Sequence, residues 1–297
     1  MAQSTAKLTY EENGVGNKES LLNVVTNISP EETPYLSKFG KSKASNTLHS
    51  WLTDSLDDPA NSGHIEGADY SFSKPGARTR LSNDTQIFVT PVEVSRSQMA
   101  ADAAGIDNEF TYQVAKKMKE HAIKIEKALV SGTGNSGATG TGRLLKGVDS
   151  WITTNVETGT GTGSEALTED MFNDNLQDIW EAGGSPKSAY ANGTQKRAIS
   201  TFTGSATKSV EASTKEIVTG VDVYDSDFGR IKIYPHRRLP TDTVHILDEN
   251  LWKVAIYRPT EKIDVAVVGS AKRMVIETEL TLEARQEAGN GSITDLS

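Results

Sequence analysis

The chain has 297 residues, of which 31 are lysine or arginine and 40 are aspartate or glutamate, so its formal net charge is −9. This acidic balance argues against a protein that wraps nucleic acid by neutralising phosphates. The absence of cysteine excludes disulfides, thiolate metal ligands and cysteine nucleophiles. No apolar run approaches the roughly 18 residues of a membrane-spanning helix, and the first residues lack the apolar core of a signal peptide. We therefore expect a cytosolic chain without a membrane span.

The first 50 residues have the pattern of an arm. A small apolar cluster at 21–28 precedes SPEETPYLSKFG, in which Ser29 and Glu32 form a capping box and Pro30 takes the first helical position. Such short helices find few packing partners within their own segment of the chain. The arm is therefore expected to dock on another domain or on another chain.

Residues 53–95 predict a long, protruding β-hairpin, because turn-rich stretches alternate with strand-like runs. Pro91 within QIFVTPVEV indicates an edge strand or a bulge. The charges of the hairpin are sorted: 53–72 contain acids without a lysine or arginine, and 73–82 contain bases without an acid. These residues are Asp54, Asp57, Asp58, Glu66 and Asp69, followed by Lys74, Arg78 and Arg80. The sorting favours head-to-tail partners or, equally, a solvated loop whose limbs neutralise each other.

Residues 106–130 predict one helix of about 25 residues, because apolar side chains recur at intervals of three and four. Asp107 or Asn108 is a candidate cap. The following GTGNSG at 132–137 matches the phosphate-binding pattern G-x-G-x-x-G. It follows the negative end of a helix dipole, where a phosphate is repelled. We therefore expect a flexible connector there.

The rest of the chain predicts mixed helices and strands. A helix capped by Thr168 and stopped by Gly183 is followed by a second helix in ANGTQKRAISTF, near Asn192. From residue 216 onward short strand-like runs dominate, each bounded by turn residues. We therefore expect a subdomain of helices packed on a small sheet. We also expect a sheet from the last part of the chain that packs on the earlier long helix.

We found no catalytic, cofactor or metal site in the sequence. The five histidines lack a recognised ligand spacing, and His121 is expected on a solvated face of the long helix. Glu277 and Glu279 share one face of a strand, as a carboxylate pair does, but an exposed polar face explains them more simply. The chain is therefore expected not to be an enzyme.

Six blocks in chain order carry a resemblance to a known family. They cover the chain from about Lys18 to the end: NISPEETPYLSKFGK, LHSWLTDSL, MAADAAGIDNEFTYQVAKKMKEHAIKIEKAL, ANGTQKRAISTF, VYDSDFGRIKIYPHRRLP and ETELTLEARQEAGNGSITDLS. In these blocks the chain resembles tailed-bacteriophage major capsid proteins with the Hong Kong 97 fold.

The resemblance implies an α+β fold with five regions. They are an N-terminal arm at 1–50, an extended β-hairpin loop at 51–96, a peripheral domain at 97–160 with a long spine helix and the glycine-rich loop, an axial domain at 161–250, and returning peripheral-domain strands at 251–297. Inter-subunit contacts are expected from the sorted charges of the extended loop, namely Lys74, Arg78, Arg80, Asp57, Asp58, Glu66 and Asp69.

The resemblance also implies a function. The chain would self-assemble, through hexamers and pentamers, into the icosahedral or prolate head shell that encloses packaged double-stranded DNA. Expected partners are a separate scaffolding protein, a portal and a decoration protein, with no cofactor, no membrane and no sequence-specific DNA binding. The expected location is the virion, after assembly in the host cytoplasm. Another phage structural component, of the tail or a decoration protein, and a nucleotide-using enzyme are the alternatives.

Overall fold

The computed structural model describes residues 33–54, 56, 63–70, 72, 74, 76–101, 108–159, 165–202, 223–267 and 269–297. Its helices are α1 Pro34–Lys38, α2 Arg96–Ala100, α3 Glu109–Ser131, α4 Val148–Trp151, α5 Glu169–Glu181 and α6 Gly193–Ile199. Its strands are β1 Gly40–Lys43, β2 Leu48–Thr53, β3 Thr79–Asp84, β4 Gln86–Ser95, β5 Thr133–Asn135, β6 Leu144–Lys146, β7 Val156–Thr158, β8 Ser188–Ala191, β9 Val223–Ser226, β10 Gly229–Pro235, β11 Val244–Leu247, β12 Trp252–Asp264, β13 Ala271–Ala284 and β14 Gly291–Thr294.

A four-stranded sheet with the order β1-β12-β13-β4 supports the long helix α3. Strands β12, β13 and β4 pair antiparallel, and β1 joins β12 in parallel. Helix α3 buries Phe110, Val114, Ile125 and Leu129, the apolar stripe that the sequence predicts. Asn108 caps its start by accepting a hydrogen bond from the Thr111 amide, and the helix ends against Gly132. The predicted helix and one of its two candidate caps are confirmed.

A six-stranded sheet with the order β7-β14-β11-β8-β10-β9 supports helices α5 and α6. Both helices share one apolar core with Ile231, Ile233 and Ile246 of this sheet. The opposite face of the sheet contributes Tyr190 to the core beneath the four-stranded sheet. Helix α5 begins at the predicted cap, since the Thr168 hydroxyl accepts from the Met171 amide, and it is followed by Gly183 in a left-handed conformation.

The glycine-rich segment after α3 is a β-hairpin of β5 and β6, so the predicted flexible connector is wrong. Two glycines allow the hairpin to lie against the end of α3. A Cβ atom on Gly132 would lie 2.4 Å from the Leu145 carbonyl oxygen, and one on Gly147 would lie 2.8 Å from the Ala128 carbonyl oxygen. Close backbone approach therefore explains these two glycines.

The predicted hairpin at 53–95 is divided between two parts of the fold. Strands β2 and β3 pair in register from Leu48 with Asp84 to Thr53 with Thr79 and form the stem of a projecting loop. Strand β4 instead pairs with β13 in the four-stranded sheet, because its alternating apolar residues face α3. Since β4 is the edge strand, the position of Pro91 is as predicted.

The strand that closes the chain also lies elsewhere than the resemblance implied. Within 251–297, β12 and β13 belong to the four-stranded sheet, but β14 pairs with β11 and β7 in the six-stranded sheet. Ile293 and Leu296 fill the core beneath α5. The last residues thus stabilise the sheet that the resemblance assigned to the axial domain.

The part of the arm that the structure describes packs on the chain's own core. Helix α1 begins at Pro34, while the predicted capping box of Ser29 and Glu32 and the predicted first helical residue Pro30 lie outside the described residues. Tyr35 and Phe39 are buried, with ring centroids 4.7 Å apart, and Phe39 stacks on Trp252. Of the two docking alternatives, residues 34–43 therefore use the same chain.

The carboxylate of Glu126 supplies the N-terminal cap that α1 lacks in its own sequence. The Tyr35 and Leu36 amides donate to its two oxygens at 2.8 and 2.9 Å, and His236 Nε2 donates to the same group at 2.9 Å. The Arg238 amide donates to Nδ1 of His236, which places the proton on Nε2. Glu126 is fully buried on α3. One charged group thus joins the arm, the long helix and the loop after β10.

A second set of buried polar contacts starts from the Tyr35 hydroxyl. It lies 2.6 Å from Nδ1 of His245 on β11, and Nε2 of that histidine lies 2.5 Å from Asp149 Oδ1 on α4. Burial, followed by the charges of neighbouring acids and Tyr190, raises the pKa of Tyr35, so its hydroxyl stays protonated and remains a donor. The arm helix is therefore fixed to both sheets.

The solvated position predicted for His121 is wrong. His121 is buried between the four-stranded sheet and α3, 2.9 Å from Thr90 Oγ1 through Nδ1 and 2.9 Å from Thr278 Oγ1 through Nε2. The Thr278 hydroxyl donates to Thr260 and therefore accepts from Nε2. Threonines on two strands satisfy the ring, which helical periodicity alone does not reveal.

The exposed polar face predicted for Glu277 and Glu279 is also wrong for Glu279, which is buried. Its carboxylate accepts from Thr85 Oγ1 at 2.6 Å, Arg143 Nη2 at 2.8 Å and Arg258 Nε at 2.9 Å. Arg258 also pairs with Glu277. Register shifts in β12 on both sides of Arg258 accompany this arrangement. The carboxylate fixes the glycine-rich hairpin to the sheet.

The capping role of Glu126 predicts a large stability loss on truncation. Glu126→Ala leaves two amides and one imidazole N–H buried without their acceptor, which should lower the free energy of unfolding by about 3–5 kcal/mol. Urea unfolding followed by circular dichroism measures the loss. Glu120→Ala, which removes a part-exposed carboxylate from the same helix, should cost less than about 1 kcal/mol. Equal losses in the two variants would refute the capping role.

His121 predicts a defined pH dependence. Burial and then the charge of Lys124 lower the pKa of His121 in the folded chain. The unfolded chain consequently binds more protons as the pH falls below about 6.5, so folding loses stability towards acid. In His121→Gln, whose amide does not titrate, the free energy of unfolding should fall less between pH 7.5 and 5 than in the unmodified chain. Parallel pH profiles of the two proteins would contradict this assignment.

Candidate assembly surface

The projecting loop has a rigid base. Trp51 on β2 donates its indole N–H to the Ala284 carbonyl at 2.7 Å, and its ring centroid lies 5.5 Å from that of Trp151. His49 on the same strand lies 3.3 Å from Glu283 of β13. The stem is therefore attached to the four-stranded sheet, so the projecting loop starts from an anchored base.

Large apolar side chains concentrate on the loop beyond this base. Leu56 is 99% exposed and Phe72 is 95% exposed, and three more apolar residues of the loop are also largely exposed. These three are Leu52, Ile65 and Tyr70. We call Leu52, Leu56, Ile65, Tyr70 and Phe72 the loop apolar set. Exposure of so many large apolar groups on one projection is a recognised mark of an interaction site.

The sequence did not lead us to predict the loop apolar set as a contact surface, because only the charged residues of the loop were considered. The signal was present, since four residues of the set, Leu56, Ile65, Tyr70 and Phe72, stand within a turn-rich stretch. Residues of that kind do not serve a local core. Because the loop apolar set lies outside the cores of the described structure, it indicates a contact with a partner.

The structure brings together only part of the predicted charged site. Arg78 Nε lies 3.3 Å from Asp54 Oδ2 across the stem, and Arg80 Nη2 lies 3.1 Å from Ser50 Oγ. At the base of the loop, Arg78 and Asp54 thus form an exposed ion pair that contributes little stability, while Arg80 bonds a neutral hydroxyl.

The remaining predicted charges lie further out. Glu66, Asp69 and Lys74 are exposed along the loop, while Asp57 and Asp58 lie outside the described residues. Between Glu66 and Asp69, the Ala68 amide donates to the Ile65 carbonyl, and the His64 ring stacks on Tyr70 at 5.2 Å. The charges of the outer loop therefore surround its aromatic side chains.

A second exposed apolar group lies on the layer of α5. Trp180 is 58% exposed, and its ring centroid lies 5.8 Å from that of Phe228 in the turn between β9 and β10. Strand β9 is one edge of the six-stranded sheet. This group is therefore a second candidate contact surface.

Among the described residues, no cluster of three or more histidine, aspartate and glutamate side chains is arranged to hold a metal ion. None of the helices in the same residues is long and apolar enough to cross a membrane. The G-x-G-x-x-G match lies in the β5–β6 hairpin, after the C-terminus of α3, and it does not precede a helix N-terminus. Its geometry is not that of a phosphate-binding loop.

Known proteins are similar to this chain in sequence and in fold. The major capsid protein of Escherichia phage Phieco32 is 25% identical over 344 residues, which cover 98% of this chain and 97% of that protein. Among solved structures, the capsid asymmetric unit of Cyanophage A-1(L) matches with a TM-score of 0.75, 12% identity, and coverage of 97% and 99% of the two chains. The capsid of a native GTA particle matches with a TM-score of 0.67, 10% identity and 97% coverage of both chains.

These likenesses confirm the predicted fold class, an α+β fold of the Hong Kong 97 type. They also identify the chain as the major capsid protein of a phage, a structural component of the virion and not an enzyme. A family model described as SU10 major capsid protein matches residues 3–297, and the chain therefore belongs to the SU10 major capsid protein family.

Proposed function

We propose that copies of this chain form the hexamers and pentamers of a closed head shell that encloses packaged double-stranded DNA. The observation that carries the proposal is the loop apolar set, which projects from its stem without cover from the described residues of its own chain. Fully burying each such side chain is worth about 1.5–3 kcal/mol. A neighbouring copy that covers the loop supplies this free energy at every contact of the shell.

We assign roles to regions of the chain on the same basis. The arm at 1–50 and the extended loop at 51–96 contact neighbours. The peripheral domain at 97–160, with α3 as its spine, and the strands within 251–297 form the shell wall. The axial domain at 161–250, extended by β14, surrounds the five-fold and six-fold axes. Lys74, Glu66 and Asp69 line the contact between the loop and the next copy.

The packaged DNA is enclosed by the shell without sequence-specific binding. The acidic balance of the chain supports this, because few basic residues are available to neutralise phosphates. Assembly takes place in the host cytoplasm, on a separate scaffolding protein and around a portal, and a decoration protein binds the finished shell. Electron microscopy of the full chain, expressed alone and with the scaffolding protein of its phage, tests the proposal. Shells, capsomers or rings support it, and an inert monomer under both conditions refutes it.

The loop apolar set predicts a defect that separates folding from assembly. Tyr70→Ser/Phe72→Ser should change the free energy of unfolding of the unassembled chain by less than about 0.5 kcal/mol, because both side chains are exposed. The same change should raise the concentration needed for assembly by more than about tenfold, since each lost burial is worth at least one decade. Sedimentation velocity measures both species.

Leu144→Ser is the matched control, because Leu144 is an exposed apolar residue of the glycine-rich hairpin. It should leave assembly within about twofold of the unmodified chain. Unchanged assembly of Tyr70→Ser/Phe72→Ser would remove the loop from the proposal.

A further inference from the structure

The outer face of α5 carries an acidic stripe. Four exposed acids recur at intervals of three and four, so they lie along one side of the helix, and the helix contains no lysine or arginine. They are Asp170, Asp174, Asp178 and Glu181. Like charges four residues apart destabilise a helix by about 0.2–0.5 kcal/mol per pair, and acids in the last turn oppose the helix dipole. The stripe is thus unfavourable for α5 itself.

The stripe continues onto the neighbouring strand. Glu157 lies on β7, against which α5 packs. Burial, and after it the charges of Asp174 and Asp178, raise the pKa of Glu157, so these acids share one electrostatic field. Helix α6 on the same side of the sheet contributes an exposed Arg197, so the acidic surface is confined to α5 and β7.

The aromatic group of α5 adjoins this stripe. Trp180 and Phe228 are in ring contact, and both remain exposed. A tryptophan beside apolar neighbours and a rim of charges has the composition of an interface centre. We call the four stripe acids, Glu157, Trp180 and Phe228 together the α5 surface.

The opposite face of the six-stranded sheet carries basic residues. Along β10, Ile231 and Ile233 are buried in the core beneath α5 and α6. Because side chains alternate along a strand, Arg230 and Lys232 point out of the other face, where both are exposed. Arg230 is bound by Asp225 of β9 at 3.0 Å, whereas the described structure contains no carboxylate paired with Lys232.

The same face carries a third cation nearer the core. Lys38 of α1 lies with its ammonium 2.8 Å from the ring centroid of Tyr234 on β10 and 3.3 Å from Glu249. We call Arg230, Lys232 and Lys38 the β10 surface. The β10 surface keeps a positive balance, because Asp225 and Glu249 offset Arg230 and Lys38 while no carboxylate of the described structure pairs with Lys232. Two different surfaces of opposite net charge therefore lie on the two sides of one sheet.

We propose that the α5 surface of one copy docks on the β10 surface of a second copy of this chain. The occupant is inferred from charge complementarity, since the two surfaces have opposite sign and face opposite directions. A contact between two unlike surfaces is heterologous, and repetition of it closes a ring when the rotation allows. The inference rests on the proposed function and names the surfaces that join copies within one capsomer.

Charge reversal tests the contact in the full chain. Asp174→Lys/Asp178→Lys reverses part of the α5 surface, Lys232→Glu reverses the β10 surface, and a third variant combines all three changes. Each single-surface variant should raise the concentration at which capsomers form by at least about tenfold. The combined variant restores opposite signs and should recover at least half of that loss on a logarithmic scale. Sedimentation velocity is the readout.

Further measurements separate the effect of the charges on capsomer formation from the effect of the aromatic centre and from any effect on folding. Trp180→Ser keeps every charge and should also weaken capsomer formation at least about tenfold. Raising NaCl from 0.1 to 1 M shortens the Debye length from about 10 to about 3 Å, so it should weaken the unmodified chain more than Asp174→Asn/Asp178→Asn. Thermal unfolding of each unassembled variant verifies that the fold is intact.

The outcomes distinguish this inference from the proposed function. If the unmodified chain forms no capsomers, the proposed function fails. If it forms them and the reversed variants form them equally well, the docking of the α5 surface is overturned while the shell function stands. Loss of assembly in both single-surface variants without recovery in the combined variant also overturns it, because the two surfaces then meet other partners.

Discussion

The buried carboxylate of Glu126 is the constraint on which the rest of the structure depends. It accepts hydrogen bonds from the first turn of α1 and from His236, so the arm, the long helix and the six-stranded sheet are held in one arrangement. A buried charge without these donors would be strongly unfavourable. The three parts therefore form together, and the position of each sheet relative to α3 follows from them.

This fixed interior determines how the exposed surfaces are held. The stem of the projecting loop is attached to β13 and Trp151, and the α5 surface lies on a helix whose inner face is fully packed. The base of the loop and the α5 surface are therefore both held by the packed interior. A shell requires contacts in defined directions, because small errors of angle accumulate around a closed lattice. Preorganised subunits also lose less conformational entropy when they associate.

The sequence predicted the elements whose signals are local. The spacing of Phe110, Val114 and Ile125 indicated α3, Thr168 indicated the start of α5, and Pro91 indicated an edge strand. The six blocks of resemblance led to the fold class and the family. Each of these signals is contained within a few residues or in the order of segments.

The failures have a common physical cause, which is that their partners lie far along the chain. His121 has a polar neighbourhood in sequence but is satisfied by Thr90 and Thr278. Glu279 lies on an alternating strand but is enclosed by Arg143 and Arg258. The glycine-rich segment suggested flexibility, although it pairs as a hairpin against α3. The same limit hid the loop apolar set, for which we propose a partner in another copy.

Hydrogen exchange of the unassembled and the assembled chain tests the central claim most directly, namely that the interior is complete in one copy and the loop is not. The account predicts protected amides at 34–43 in both states, and amides at 63–70 and 76–78 that exchange rapidly before assembly and slowly after it. Protection of the loop in the unassembled chain, or rapid exchange of the loop in the assembled shell, would contradict it.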